Sequence, residues 1–201
     1  IFEELMQGKE YEVQVKVIDN AKNQIITQAQ TITTGTVTGL TVTVEDADTW
    51  TNGTKTVTIK AANSNYSTIR YTTDGSVPTT SSTEYTKAFT VDKNCTITAV
   101  AFDSTNQVGA TAINTVTKID TLDPTGSISV STTTNSATVT VSATDPAATS
   151  TSGKSGIKGY YYSKDGGSTY TSTITTNTSY TFSSLAQTKE YSFKVKVEDN
   201  A

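Results

Sequence analysis

The stretch KEYSFKVKVEDNA, residues 189–201, decides how this chain is read. From Tyr191 onward, Phe193, Val195 and Val197 alternate with Lys194 and Lys196. Successive side chains of a strand point to opposite faces, so this is a half-buried β-strand with an apolar and a charged side. Nearly the same words, KEYEVQVKVIDNA, occupy residues 9–21. Extended back to Phe2 and Phe182, the two copies agree at twelve of twenty positions, at a constant offset of 180. A chain that returns to the same strand after 180 residues reads as a window on a two-domain superrepeat.

Composition agrees with an all-β chain. Thr occurs 45 times in 201 residues, and β-branched residues suit a pleated surface better than a helix. The length accommodates two domains of about 100 residues. Leu40, Val42 and Val44 alternate with Thr41 and Thr43, and Val57, Ile59 and Ala61 repeat the pattern. Strands are also expected at Ile69–Tyr71, in EYTKAFTV, CTITAVAFD and GATAINTVTK, at Ile128–Val130, Val139–Val141 and Tyr160–Tyr162, and in TYTST, SYTF and EYSFKVKVED. Asp74-Gly75 and Asp165-Gly166-Gly167 read as hairpin turns, with Pro78 marking the exit from the first. IDTLDPTG, residues 119–126, reads as an acidic hinge broken at Pro124. The expected division is 1–35 as the terminal strands of a preceding Ig-like domain, 36–118 as a complete β-sandwich, and 119–201 as the next Ig-like domain without its last strand. The overall fold expected is tandem antiparallel β-sandwiches.

Two resemblances sharpen this. The spacing of Tyr71-Thr72-Thr73-Asp74-Gly75, Pro78, Tyr85 and the Thr-Ile-Thr-Ala-Val-Ala run ending at Ala101 resembles the small C-terminal β-sandwich module of chitobiases and β-hexosaminidases. That resemblance implies an accessory, non-catalytic module over about 80 residues. LAQTKEYSFKVKVEDNA is similar to the end of a fibronectin type III domain, in which a Leu precedes a Tyr by six residues. Leu185 and Tyr191 match that spacing, as do Leu5 and Tyr11. The resemblance implies a tyrosine whose hydroxyl bonds back to nearby backbone. Gly8 supplies the expected turn residue in the first copy, whereas Thr188 departs from it in the second.

The chain contains no histidine, which removes Ser-His-Asp, Cys-His and imidazole metal chemistry together. Its carboxylates sit in turns and in the hinge, so no catalytic residue and no cofactor is assigned. Asp46 and Asp48 in EDAD are the weak calcium candidates, against the plainer reading that Asp closes tight turns. Tyr160-Tyr161-Tyr162 and Trp50 raise glycan stacking, against core packing. The net charge is -4 with no basic stripe, so nucleic acid is not an expected partner, and no apolar run is long enough for a membrane span. Cys95, the single cysteine, excludes an internal disulfide.

The expected role is a non-catalytic structural repeat of a long secreted or cell-surface bacterial protein, acting as stalk, spacer or extracellular fibre. A glycan- or receptor-binding adhesin module and a phage virion domain are the alternatives. Expected partners are neighbouring repeats or like chains, joined through strand addition. Chelator treatment should leave the melting temperature unchanged; a large drop would make Asp46 and Asp48 ligands.

Overall fold

A computed structural model describes residues 2, 5, 8–103 and 106–201. Among these residues all regular structure is β, in antiparallel sheets, and no helix is present to cross a bilayer. The molecule is built as β-sandwiches, in two units. One gathers residues 1–45, 56–90 and 95–115; the other gathers 46–55, 91–94 and 116–201.

The first unit opens with an antiparallel ribbon. Strand β1 (Glu10–Val13) pairs with β4 (Gln30–Thr33), and β2 (Lys16–Ile18) pairs with β3 (Gln24–Ile26). The ladder persists across the break because Thr27 N–H donates to the Val15 carbonyl. Asp19 closes the tip, its carboxylate accepting from the Asn23 N–H at 2.8 Å and from the Asn23 side-chain amide at 2.9 Å. These hydrogen bonds hold the Asp19 carboxyl below its ordinary pKa. Val15, Val17, Ile18, Ile25 and Ile26 are all exposed.

Two further sheets of this unit enclose its core. One runs β5 (Thr41–Val44), β6 (Lys55–Lys60), β9 (Phe89–Val91). The other runs β11 (Asn106–Gln107), β10 (Cys95–Asp103), β7 (Thr68–Thr72), β8 (Thr83–Glu84), with β12 (Ala112–Val116) also paired to β10. Alternation sets the inner face: Val42 lies opposite Ile59 and Val44 opposite Val57, all buried. Strand β10 is buried on both faces from Ile97 to Phe102, as expected of a central strand with an unbroken apolar run. The Asn114 side-chain amide donates to the Val42 carbonyl at 2.9 Å and ties the two sheets.

Asp74-Gly75 does not make a two-residue hairpin. β7 ends at Thr72 and its partner β8 begins only at Thr83, leaving a ten-residue loop between them. The Asp74 carboxylate instead accepts from the Ser76 hydroxyl and N–H, at 2.5 and 3.0 Å, with Gly75 at φ +82°. Pro78 is buried two residues later, where it has no N–H to offer a ladder. The ring of Tyr71 stacks on Phe89, with centroids 4.3 Å apart, and Tyr85 meets both edge-on. Those contacts and Pro78, rather than the Asp-Gly turn, fix where the chain returns.

In the second unit, β13 (Thr125–Thr132) pairs residue for residue with β14 (Ala137–Thr144), which pairs on its other edge with β16 (Ser179–Phe182). The facing sheet is β15 (Ile157–Ser163) with β17 (Lys194–Asp199). Val139 and Val141 of β14 meet Tyr160 and Tyr162 of β15, and Ala143, Ile157, Phe182, Phe193, Val195 and Val197 pack around them. Residues 169–173, expected as a strand, form none: the Asp165 carboxylate accepts from both the N–H and the hydroxyl of Thr169 and folds the chain back. The same bonds hold the Asp165 carboxyl far below its ordinary pKa.

Ile97→Ala should lower the stability of the first unit by about 2–5 kcal/mol through the cavity it leaves. Ile113, in β12 and exposed, should tolerate the same change with little effect. Urea midpoints of the two variants check this; equal losses would place the core elsewhere.

Candidate functional site

The segment expected to flex is buried and firmly held within the second unit. Ile119 is buried, and Asp120 is 1% exposed. Backbone bonds grip the segment from three sides. Thr51 N–H donates to the Lys118 carbonyl at 3.2 Å and Asp120 N–H to the Thr51 carbonyl at 2.9 Å. Ile119 N–H donates to the Asn94 side-chain oxygen at 2.9 Å, and Gly153 N–H to the Ile119 carbonyl at 2.6 Å. The hinge reading is therefore corrected for residues 119–122, because their polar groups are satisfied by 51, 94 and 152–155 rather than by water.

Asp120 organises that grip. One carboxylate oxygen accepts from Leu122 N–H at 3.2 Å and from the Ser152 hydroxyl at 3.2 Å; the other accepts from Ser155 N–H at 2.7 Å. Burial pushes the Asp120 carboxyl up, but the N–H groups of Ser155 and Leu122 and the Ser152 hydroxyl outweigh it and hold it below its ordinary value. The loop that supplies these donors is pinned again by Asp145, which is buried and accepts from the Gly156 N–H. Asn200, just past β17, closes on the same loop: its side-chain amide donates to the carbonyls of Ser155 and Gly156 at 3.0 and 2.9 Å.

Trp50 packs beside this segment. A Cβ on Gly153 would overlap its ring, so only glycine fits there, and the Lys118 ammonium lies 5.1 Å from the ring centre. Sequence reasoning could not find this cluster, since Asp120 lies more than thirty residues from Ser152 and Ser155 and the three carry no motif.

The remaining sequence-derived residues fall as follows. Asp46 and Asp48 are exposed, and Asp46 takes φ +49° in a turn. The cation their loop receives is a lysine: the Lys55 ammonium, itself buried, donates to the backbone carbonyls of Asp46 and Thr49. Among the described residues no group of three or more Asp, Glu or Cys side chains is placed to hold a metal. Tyr160 and Tyr162 are buried, and the Tyr162 hydroxyl donates to the Asn177 carbonyl at 2.7 Å. Tyr161 points the other way, beneath the Lys196 ammonium at 5.3 Å.

Leu185 and Tyr191 are both half-buried, and Ala186 N–H donates to the Tyr191 hydroxyl at 2.9 Å. Leu5 and Tyr11 are half-buried in the first copy. Gly8 and Thr188 share the left-handed conformation, at φ +69° and +64°, so the threonine holds a shape that glycine adopts without strain.

Residues 45–113 match the family model described as Chitobiase/beta-hexosaminidase C-terminal domain. That stretch is similar to the C-terminal β-sandwich module of that family. Among solved structures, the crystal structure of chicken CNTN1 FN1-FN3 domains is similar over 98% of this chain and 72% of that one, with 12% identity and a TM-score of 0.33. No curated protein matches the chain.

Asp120→Asn should cost about 1.5–3 kcal/mol at pH 7, the usual worth of hydrogen bonds to a charged group. A carboxyl whose folded pKa lies below its unfolded value stabilises fully above the unfolded pKa, near 4, and loses that contribution as pH falls through the folded pKa. The stability gap between wild type and variant should therefore close below about pH 4. Chemical denaturation across pH 2–7 measures it, and a gap independent of pH would reject the assignment.

Proposed function

We propose that this chain is a non-catalytic structural repeat of a long secreted or cell-surface bacterial protein. Its work is to space and support what other parts of the polypeptide carry, as a stalk, spacer or fibre. The observation that carries this reading is the recurrence of one strand, with its Leu and Tyr at the same spacing, at an offset of 180. A chitobiase C-terminal-like module lies between the copies, and such a module is an accessory to whatever chemistry accompanies it. The clamp on residues 119–122 supports the reading too, because a spacer gains from fixing the segment by which a unit is reached.

A glycan-binding role would call on aromatic faces open to solvent. Tyr160 and Tyr162 are committed to the core, while Trp50 and Tyr161 each lie beside a lysine. Acid–base or metal hydrolysis has no histidine to draw on.

Two measurements test the proposal. Reading the sequence outward on both sides should reveal further copies at the same period, and their absence would remove its basis. On an array of glycans and host-surface proteins the chain should show no saturable binding; a saturable ligand, or turnover of any glycoside, would replace the spacer with a recognition or catalytic role.

A further inference from the structure

Asn52 and Gly53 stand in the short link between Thr51 and β6, and both are exposed. Asn52 is the one asparagine of the chain that a glycine follows. That order matters chemically, because a glycine brings no side chain of its own to hinder its nitrogen from reaching the carboxamide before it. Among the described residues nothing hydrogen-bonds to the Asn52 side chain, whereas those of Asn63, Asn94, Asn114 and Asn200 are all engaged. The Gly53 N–H is held by the Thr51 hydroxyl, at 2.9 Å, so no ladder has to open before it turns.

The link lies between two fixed points. Thr51 grips the buried segment, its N–H donating to the Lys118 carbonyl and its own carbonyl accepting from Asp120 N–H. Lys55 is anchored by its buried ammonium on the carbonyls of Asp46 and Thr49. We propose that Asn52 is a self-modifying site, which loses its amide to give aspartate and isoaspartate and so loosens the hold of Thr51 on residues 118–120. This inference concerns the clamp itself and needs no part of the spacer reading.

The only reactant besides the chain is water. The Gly53 nitrogen gives up its proton to solvent base and attacks the Asn52 side-chain carbonyl carbon. A C–N bond forms, the bond to the amide nitrogen breaks, and that nitrogen takes a proton and leaves as ammonia. The cyclic imide then adds one water. Opening at one carbonyl gives aspartate; opening at the other gives isoaspartate, whose main chain runs through the former side chain. Nothing is oxidised or reduced.

The two Asp-Gly pairs invite the same ring closure and resist it. Hydrogen bonds hold the carboxyls of Asp74 and Asp165 below their ordinary pKa, so both stay ionised and repel an anionic nitrogen. Gly166 N–H is also tied to the Ser192 carbonyl.

Isoaspartate lengthens the main chain by one atom between anchors that residues 52–54 alone connect, so the strain falls on the bonds at Thr51. The new carboxylate also appears in a cleft that Asn52 lines with Asp120, Asp123, Glu198 and Asp199. Lys158, the one cation among the described residues lining it, is already 3.8 Å from Glu198.

The test ages the full chain in mildly alkaline buffer, beside an acidic control in which the Gly53 nitrogen keeps its proton. Peptide mass mapping should place deamidation at Asn52, and an isoaspartyl methyltransferase should label the same peptide. Asn52→Gln, which would need a larger ring, and Gly53→Ala, whose added Cβ meets only the Thr51 hydroxyl at 3.3 Å, should both suppress it. Hydrogen exchange at the Asp120 and Thr51 amides should rise about fivefold in the aged chain and stay unchanged in aged Asn52→Gln. Freshly prepared Asn52→Asp carries the charge without the extra atom and should show a smaller rise. Deamidation that falls elsewhere, or an intact chain where a free peptide of residues 46–57 deamidates, overturns the site. Unchanged exchange at Asp120 and Thr51 in the aged chain overturns the loosening, and an equal rise in Asn52→Asp overturns chain lengthening as its cause.

Discussion

Nothing in this chain can be cross-linked to itself by a disulfide, so each unit stands on side chains projecting from one sheet toward the side chains of another. That demand explains the valines and isoleucines at every second position of β5, β6 and β14. It also explains β10, which has no polar face to spare. Ala99 and Ala101 there lie opposite Tyr71 and Ile69 of β7, so small residues on one strand make room for large ones on the next. In the second unit an aromatic series runs Tyr160, Tyr162, Tyr180, Phe182, Phe193, Tyr191, each ring within 6.5 Å of the one before it. Aromatic rings supply large area from few residues, which suits a sandwich in which Thr and Ser dominate.

Loops are held by a different device. Asp19, Asp74 and Asp165 each fold their carboxylate back onto donors two to four residues ahead and are exposed. Asp120 and Asp145 do the opposite, reaching across to residues 152–156 from positions that are buried. A local carboxylate shapes only its own turn. A buried one that satisfies distant N–H groups welds separate stretches, since leaving any of those groups unpaired costs about 1–3 kcal/mol.

The same distinction governs what could be read from the sequence. Alternation is local, so the strands of β5, β6, β13, β14, β15 and β17 were legible, and so was the ribbon over 9–34 as the partner of its repeat. Asp74-Gly75 is a local turn and was legible as a turn, but not as a hairpin. Where β8 begins depends on Tyr71, Tyr85 and Phe89 coming together and on Pro78 refusing a ladder. TYTST looked like a strand because it alternates, and the Asp165 carboxylate four residues upstream overrode that pattern. IDTLDPTG looked loose because it is acidic and contains a proline. Its firmness comes from Thr51, Asn94, Ser152 and Ser155, none of which is near it in sequence.

The placement of Asp120 and Asn200 on one loop has a mechanical consequence. β13 begins at Thr125 opposite Thr144, and β17 ends at Asp199 opposite Ile157, so the start of β13 and the end of β17 lie at the same end of this unit. Tension applied between residues 120 and 200 would run through Ser152, Ser155 and Gly156 and bypass both sheets, loading a short clip rather than the sandwich. A pull along that line therefore loads the Asp120–Ser155–Asn200 clip first and the sandwich only after it, so the unit hangs from a few hydrogen bonds to one loop.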